Sequence, residues 1–384
     1  MTEEVIFRTP GMPYHLPQLE QARRRGSAVT SEMEVFLDYC PCPVLGVTGS
    51  DGKTTTTTIL AKLLQQAGGN IGTPLLPQIS DIQPDDLVVA ELSSFQLISV
   101  TRSPAVAVVT NMSPNHLDIH KDMAEYIDAK KNIFRHQNAF GRTVLNLDNP
   151  ITASFVPEVR GECMLFSRRE RVERGCWLRP DGELVMSVDG VNTPIMNQSE
   201  IKIPGGHNVE NYMAAICAAW GRVSPEDIRA VAQTFAGVEH RAELVRELDG
   251  VRWYNDSIAT TPSRTVKGML SLFDQKILLI AGGYDKKVPF DPMGEPVCEH
   301  VKVLVLMGAT APKIEAAVKA ARSYKPGAPK ILHVDSLQEA VDVCRREAKP
   351  GDIVAMSPAC ASFDMFPNFE TRGDQFREMV QRLQ

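Results

Sequence analysis

Val44-Leu45-Gly46-Val47-Thr48-Gly49-Ser50-Asp51-Gly52-Lys53-Thr54-Thr55 sets an apolar strand, a Gly-rich turn and a Lys-Thr pair in immediate succession. That order describes a phosphate cradle. Glycines let backbone N–H groups converge on phosphate oxygens, Lys53 brings a point charge to the β/γ-phosphates, and the Thr54 hydroxyl can join a Mg²⁺ shell. Thr54–Thr58, Ile59, Leu60, Leu63 and Leu64 read as a helix whose N-terminal dipole faces the anion. The usual spacing wants Gly at position 47, whereas here it stands one residue earlier, at Gly46.

At 384 residues the chain is long for one core, so two or three domains are expected. With 43% hydrophobic and 23% charged residues it reads as an ordinary globular protein. A net charge of -6 gives no general attraction to nucleic acid or to an anionic membrane. No apolar run is long enough for a membrane helix, and Met1-Thr2-Glu3-Glu4 is no signal peptide, so the expected setting is the cytoplasm. Eight cysteines without a CxxC pair read as structural thiols of a reducing compartment.

From Val44 onward, short apolar runs at 87–90, 105–109 and 143–145 alternate with helical periodicity, the pattern of a mostly parallel sheet covered by helices. Between Met164 and Gln198, breaks at Gly175, Asp181-Gly182 and Asp189-Gly190 predict an antiparallel excursion. Helical spacing returns at 208–220 and, after the Ser224-Pro225-Glu226 cap, at 228–235. A second α/β series follows His240-Arg241, with strands predicted at 251–255, 276–281, 301–306, 331–334 and 353–356 and a last helix at 373–383. The fold class is therefore α/β: a central P-loop-type parallel-sheet ATPase domain at 43–237, then a Rossmann-like C-terminal domain at 238–384. The first 42 residues hold one strand at Val5-Ile6-Phe7 and one helix at 17–25, and read as the tail of something larger.

Together with the loop, three runs resemble the Mur ligase family: Glu91-Leu92-Ser93-Ser94-Phe95-Gln96-Leu97, Asn111-Met112-Ser113-Pro114-Asn115-His116-Leu117-Asp118 and Gly206-His207-Asn208-Val209-Glu210-Asn211. So does Ser357-Pro358-Ala359-Cys360-Ala361-Ser362-Phe363-Asp364, with Asn368-Phe369-Glu370 and Arg372-Gly373. The resemblance covers the chain from about residue 9 to its end. It implies ATP-dependent amide-bond formation, with D-glutamate joined to UDP-N-acetylmuramoyl-L-alanine through an acyl phosphate in peptidoglycan precursor synthesis. A monomer is expected, with no nucleic-acid or membrane partner on the charge and hydropathy given above.

The resemblance also assigns roles. Gly49, Ser50, Asp51, Gly52, Lys53, Thr54 and Thr55 would hold ATP, with Asn208 on adenine, Asp256 on ribose and Arg241 on the γ-phosphate. Thr54, Glu91, His116 and Lys130 would hold two Mg²⁺ ions. Lys130, in Tyr126-Ile127-Asp128-Ala129-Lys130, matches the family lysine that becomes carbamylated; Lys131 lies 100° away on the helix and misses the Tyr-x-x-x-Lys spacing. Lys53, His116, Lys130 and Arg241 would serve catalysis. Asn70 and His116 would contact the muramoyl substrate, and Thr260, Lys286, Ser362, Phe363 and Phe369 the amino acid, with Lys287 a rival to Lys286. Many relatives carry Lys where this chain has Ile258. The family's N-terminal uridine-binding domain is matched only by residues 1–42, read as its remnant. Two rivals stay open: a folylpolyglutamate synthase-like ligase, which lacks the Ser-Pro-Ala-Cys-Ala-Ser-x-Asp run, and an ATP-binding pseudoenzyme or scaffold.

Overall fold

A computed structural model describes residues 3–9, 12–66, 76–113 and 120–384. The chain divides into two units, Met1–Lys202 with Gly206–Phe235, and Ile203–Gly205 with Ala236–Gln384.

The first unit is built on an eight-stranded sheet. Its order is Val191–Asn197, Glu183–Val188, Gly175–Leu178, Glu162–Ser167, Arg142–Asn146, Val106–Val109, Val44–Thr48 and Val88–Glu91. Val44–Thr48 is buried along its whole length, as a parallel strand covered on both faces must be. Pairing is parallel from Val88–Glu91 as far as Gly175–Leu178. The antiparallel excursion expected from 164 therefore begins later, at Glu183–Val188, which pairs with both its neighbours antiparallel. Gly175 opens a strand at φ of +135°, where the Leu165 carbonyl occupies the space a side chain would need, 1.8 Å from a built Cβ.

Helix Lys53–Gln66 follows the first strand of the ATPase pattern, and Gly206–Ala219 packs beside it. Before them, Val5–Phe7 pairs in parallel with Ala28–Thr30 around helix Pro17–Arg24. A further helix, Glu32–Tyr39, is capped by the Ser31 hydroxyl and places Met33, Phe36 and Leu37 in the core with Val88, Ala90 and Leu97. Both this helix and Ala28–Thr30 are additional to the sequence expectation. The first segment is also tied by polar contacts: buried Arg8 donates to the Phe95 carbonyl at 2.6 Å, and His15 pairs with Glu125 at 2.7 Å.

The second unit has a six-stranded sheet in the order Glu243–Leu248, Val251–Asn255, Ile353–Met356, Ile277–Ala281, Val301–Leu306 and Lys330–His333. All pairs are parallel except the first, whose edge strand Glu243–Leu248 has no apolar run to announce it. Alternate residues feed two cores: Leu279 and Leu304 on one face, Leu278, Ile280 and Val305 on the other. The last helix, Phe369–Arg382, is capped by Asn368 and begins four residues before its expected start at 373. All eight cysteines are free thiols. Among the described residues no helix is long and apolar enough to cross a membrane.

Candidate functional site

In the first unit the turn between Thr48 and Lys53 is held from beneath by Thr110 and Asn111. Thr110 Oγ1 donates to the Asp51 carbonyl at 2.6 Å. Asn111 accepts from Asp51 N at 2.9 Å and donates to Asp51 O at 3.1 Å. Ser50 Oγ lies 2.9 Å from Tyr126 Oη and donates to the Ser113 carbonyl at 2.9 Å. Two positions require glycine. Gly49 and Gly52 have φ of +148° and +79°, and a built Cβ would fall 1.9 Å from Thr110 Oγ1 and 2.3 Å from Asn211 Oδ1 respectively. Gly46, one residue off the usual spacing, takes no part in the turn. A Cβ built there would meet Pro104 Cγ at 2.7 Å, so its glycine admits packing under the sheet.

Two ammonium groups converge on this turn. Lys53 Nζ donates to the carbonyls of Gly49 and Ser50, each at 3.1 Å. Lys130, on helix Met123–Arg135, donates to Gly49 O at 2.9 Å and to Thr48 Oγ1 at 3.0 Å. Lys130 is 2% exposed, and burial, with repulsion from Lys53 added, brings its pKa down to about 7 despite the attraction of Glu91 and Asp51. Its neighbour Lys131 turns away and pairs with Glu158 at 2.5 Å. Tyr126, one turn before Lys130, lies beneath its ammonium at 5.0 Å.

Glu91 ends the strand beside the loop strand, in register with Val47, and is half-buried. A carboxylate and the threonine at the helix start are the hard oxygen donors that Mg²⁺ takes, and two cations on a glycine turn suit a polyphosphate. The donor set therefore fits ATP with Mg²⁺, although among the described residues no group of three His, Cys, Asp or Glu forms a metal cluster. Asn208 and Asn211 are buried in helix Gly206–Ala219; Asn211 accepts from Thr56 Oγ1 at 3.1 Å and donates to Asn208 Oδ1 at 3.0 Å. Asn70 and His116 lie outside the described residues.

In the second unit Asp256 is buried, accepting from Ser357 Oγ at 2.6 Å and from Ala242 N at 3.2 Å. Burial pushes its pKa up to about 6 against these hydrogen bonds and against Arg241. Arg241 stands between His240 and Ala242, whose φ values of +59° and +42° mark a constrained turn. Loops at the carboxyl ends of the parallel strands carry the amino-acid candidates, where α/β sheets place ligands. Thr260 is half-buried, Lys286 and Lys287 are exposed, and Lys287 has φ of +59°. Ser362 is buried, and Phe363 is 63% exposed and packs edge-on against Tyr284. Phe369 begins the last helix, edge-on to the His240 ring. Thr48, Thr110 and Tyr126 join the site without belonging to the residues expected there. The four-residue step from Tyr126 to Lys130 was the available signal for Tyr126, while Thr110 is brought under the loop only by strand pairing.

Sheet, loop and converging lysines define a P-loop-type nucleotide-binding α/β protein. The Mur ligase middle domain matches residues 47–219, and the glutamate ligase domain of Mur ligases matches 240–360; the chain belongs to the Mur ligase family. It is 53% identical to the UDP-N-acetylmuramoylalanine--D-glutamate ligase of Acetivibrio thermocellus and 50% identical to that of Clostridium acetobutylicum, in each case over 99% of this chain and 83% of the relative. In fold it is similar to the UDP-N-acetylmuramate-alanine ligase MurC of Thermotoga maritima, with a TM-score of 0.64 at 17% identity over 98% of this chain and 85% of that one. A pseudomurein peptide ligase of Methanothermus fervidus gives a TM-score of 0.61 at 18% identity over 99% and 87%.

Proposed function

We propose that this chain uses ATP to join the amine of D-glutamate to the alanyl carboxylate of UDP-N-acetylmuramoyl-L-alanine. The observation that carries the reading is the 50–53% identity, along 98–99% of the chain, to relatives that bear that ligase name. The phosphate loop gives it chemical support. Backbone N–H groups of the turn and the Lys53 ammonium would hold the polyphosphate, and Asn208 the adenine.

Thr54, Glu91 and Lys130 would hold two Mg²⁺ ions, with His116 a further donor. Mg²⁺ bound there would supply neutralisation of the phosphate charge. Lys130 suits this role only after modification: the lone pair of its neutral amine attacks the carbon of CO₂, an N–C bond forms as one C=O π bond opens onto oxygen, one N–H proton leaves to water, and the amine becomes a carbamate, an anionic oxygen donor. A pKa of about 7 leaves a large share of that amine neutral at physiological pH. On the amino-acid side, Thr260 and Ser362 would donate to carboxylate, Lys286 would pair with it, and Phe363 and Phe369 would wall the side chain.

The test is incubation of the purified chain with ATP, Mg²⁺, UDP-N-acetylmuramoyl-L-alanine and D-glutamate, followed by mass spectrometry. The reading expects a product one glutamyl residue heavier, with equimolar ADP and phosphate, and none with L-glutamate. ATP binding without product would sink it in favour of a nucleotide-binding scaffold. Lys130→Ala should abolish turnover, with partial rescue by a short-chain carboxylic acid; full activity in that variant rules out the carbamate.

A further inference from the structure

Arg372 is completely buried, yet every hydrogen bond it makes goes to a neutral acceptor. Nε donates to Ser257 Oγ at 3.0 Å and Nη2 to Ser257 O at 2.8 Å. Both terminal nitrogens donate to Cys360 O at 3.2 Å, and Nη1 also to Ala361 O at 3.3 Å. Among the described residues no carboxylate lies within ion-pair distance of it. A guanidinium with no carboxylate in direct contact is costly to bury, and burial lowers its pKa to about 10 against the longer-range attraction of Cys360 and Asp364, which still leaves it charged at neutral pH. Such a group persists where its charge or its geometry has a use.

The geometry is a junction of strand ends. Ser257 lies two residues past Val251–Asn255, and Cys360–Ala361 lie past Ile353–Met356. Ala361 O also accepts from Tyr284 N at 2.9 Å, which brings in the loop after Ile277–Ala281. That loop is pressed close: a Cβ built on Gly283 would fall 2.4 Å from Ala361 O and 3.4 Å from Arg372 Nη1. Ser257 Oγ in turn donates to Phe369 O at 2.7 Å, at the start of the helix that carries Arg372. One side chain thus fastens the peptide just before Ser362, which itself accepts from the loop leading to Lys286, and, through Ser257, the backbone of Phe369.

We infer that Arg372 is a positioning residue for the acceptor amino acid, holding these three strand-end segments in register and setting behind them a positive charge, in direct contact with no carboxylate, that favours a dicarboxylate. The inference rests on the proposed function. It assigns Arg372 no contact with substrate; it acts through Ala361–Ser362 and through Ser257 to Phe369.

Arg372→Met and Arg372→Lys separate this role from support of the fold. In the coupled phosphate-release assay, Arg372→Met should raise KM for D-glutamate by about 10- to 100-fold while KM for ATP stays within threefold, and Arg372→Lys, keeping the charge, should recover most of that loss. Should Arg372→Met fail to fold, Ser257→Ala, which removes one acceptor and leaves the cation, should raise the same KM by about 3- to 10-fold. Saturation-transfer NMR of D-glutamate binding, with a non-hydrolysable ATP analogue present, should give the same ordering without turnover. D-Glutamate KM and binding within threefold of the parent in both Arg372 variants, or a proportional rise in both KM values, would overturn the inference. A parent chain that binds D-glutamate in an Arg372-dependent way but releases no phosphate would instead overturn the proposed function alone.

Discussion

Replacing Lys130 by methionine should make the metal-free protein more stable at neutral pH while destroying its chemistry. The folded-state pKa of about 7 lies below the ordinary 10.5, so between these values the unfolded chain binds the proton that the native state has lost. Stability therefore rises with pH across that window, and the full cost of the buried charge is felt below pH 7. At pH 7 the cost is about 4–5 kcal/mol, from roughly 1.4 kcal/mol per pH unit. Methionine removes it and fills a similar volume. Neither abandoned acceptor is orphaned, since Gly49 O keeps Lys53 and Thr48 Oγ1 still donates to Leu92 O at 2.6 Å. The lost hydrogen bonds return about 1–2 kcal/mol, leaving Lys130→Met ahead by about 2–4 kcal/mol. The assay is urea unfolding of parent and variant in CO₂-free, metal-free buffer at pH 7 and pH 10. At pH 10 the margin should shrink by about 3–4 kcal/mol, because the parent no longer carries the charge there. A variant less stable than the parent by the same margin at both pH values would refute the reasoning.

Gly49→Ala, forced to φ of +148° against Thr110 Oγ1, should cost about 2 kcal/mol or more and lower ATP affinity, the first read by urea unfolding and the second by calorimetric titration with an ATP analogue. Asp256 has its folded pKa raised from 3.8 to about 6, so the stability of the second unit should fall as pH rises from 4 to 6, by about 3 kcal/mol in all. Asp256→Asn should flatten that slope in pH-dependent unfolding, and an unchanged slope counts against a buried, titrating carboxylate. Ser362→Ala should raise KM for D-glutamate by about 10- to 150-fold, the loss of one hydrogen bond to a charged carboxylate, with KM for ATP little changed in steady-state kinetics.

Much of this protein is written locally. The strand, turn and helix of the phosphate loop follow from a buried apolar run, two glycines in conformations that L-residues avoid, and a helix start, all within nearest neighbours. The helix from Pro225 is announced by its Ser224 cap, and central parallel strands such as Val44–Thr48, Ile277–Ala281 and Val301–Leu306 by continuous apolar runs. Local patterning stops being informative where a partner distant in the chain decides. Gly175 signals a break equally well whether the next strand runs parallel or antiparallel, and only the register with Glu162–Ser167 shows the direction. Lys130 and Lys131 are the same residue type side by side, but helix phase alone does not say that one ammonium is buried on Gly49, 81 positions away, while the other meets Glu158 at the surface. Arg372 looks like any helix-face arginine until Ser257, Cys360 and Ala361 converge on it. Propensity and capping act over a few residues, whereas burial of charge and convergence of strand ends are properties of packing, created only when distant segments meet.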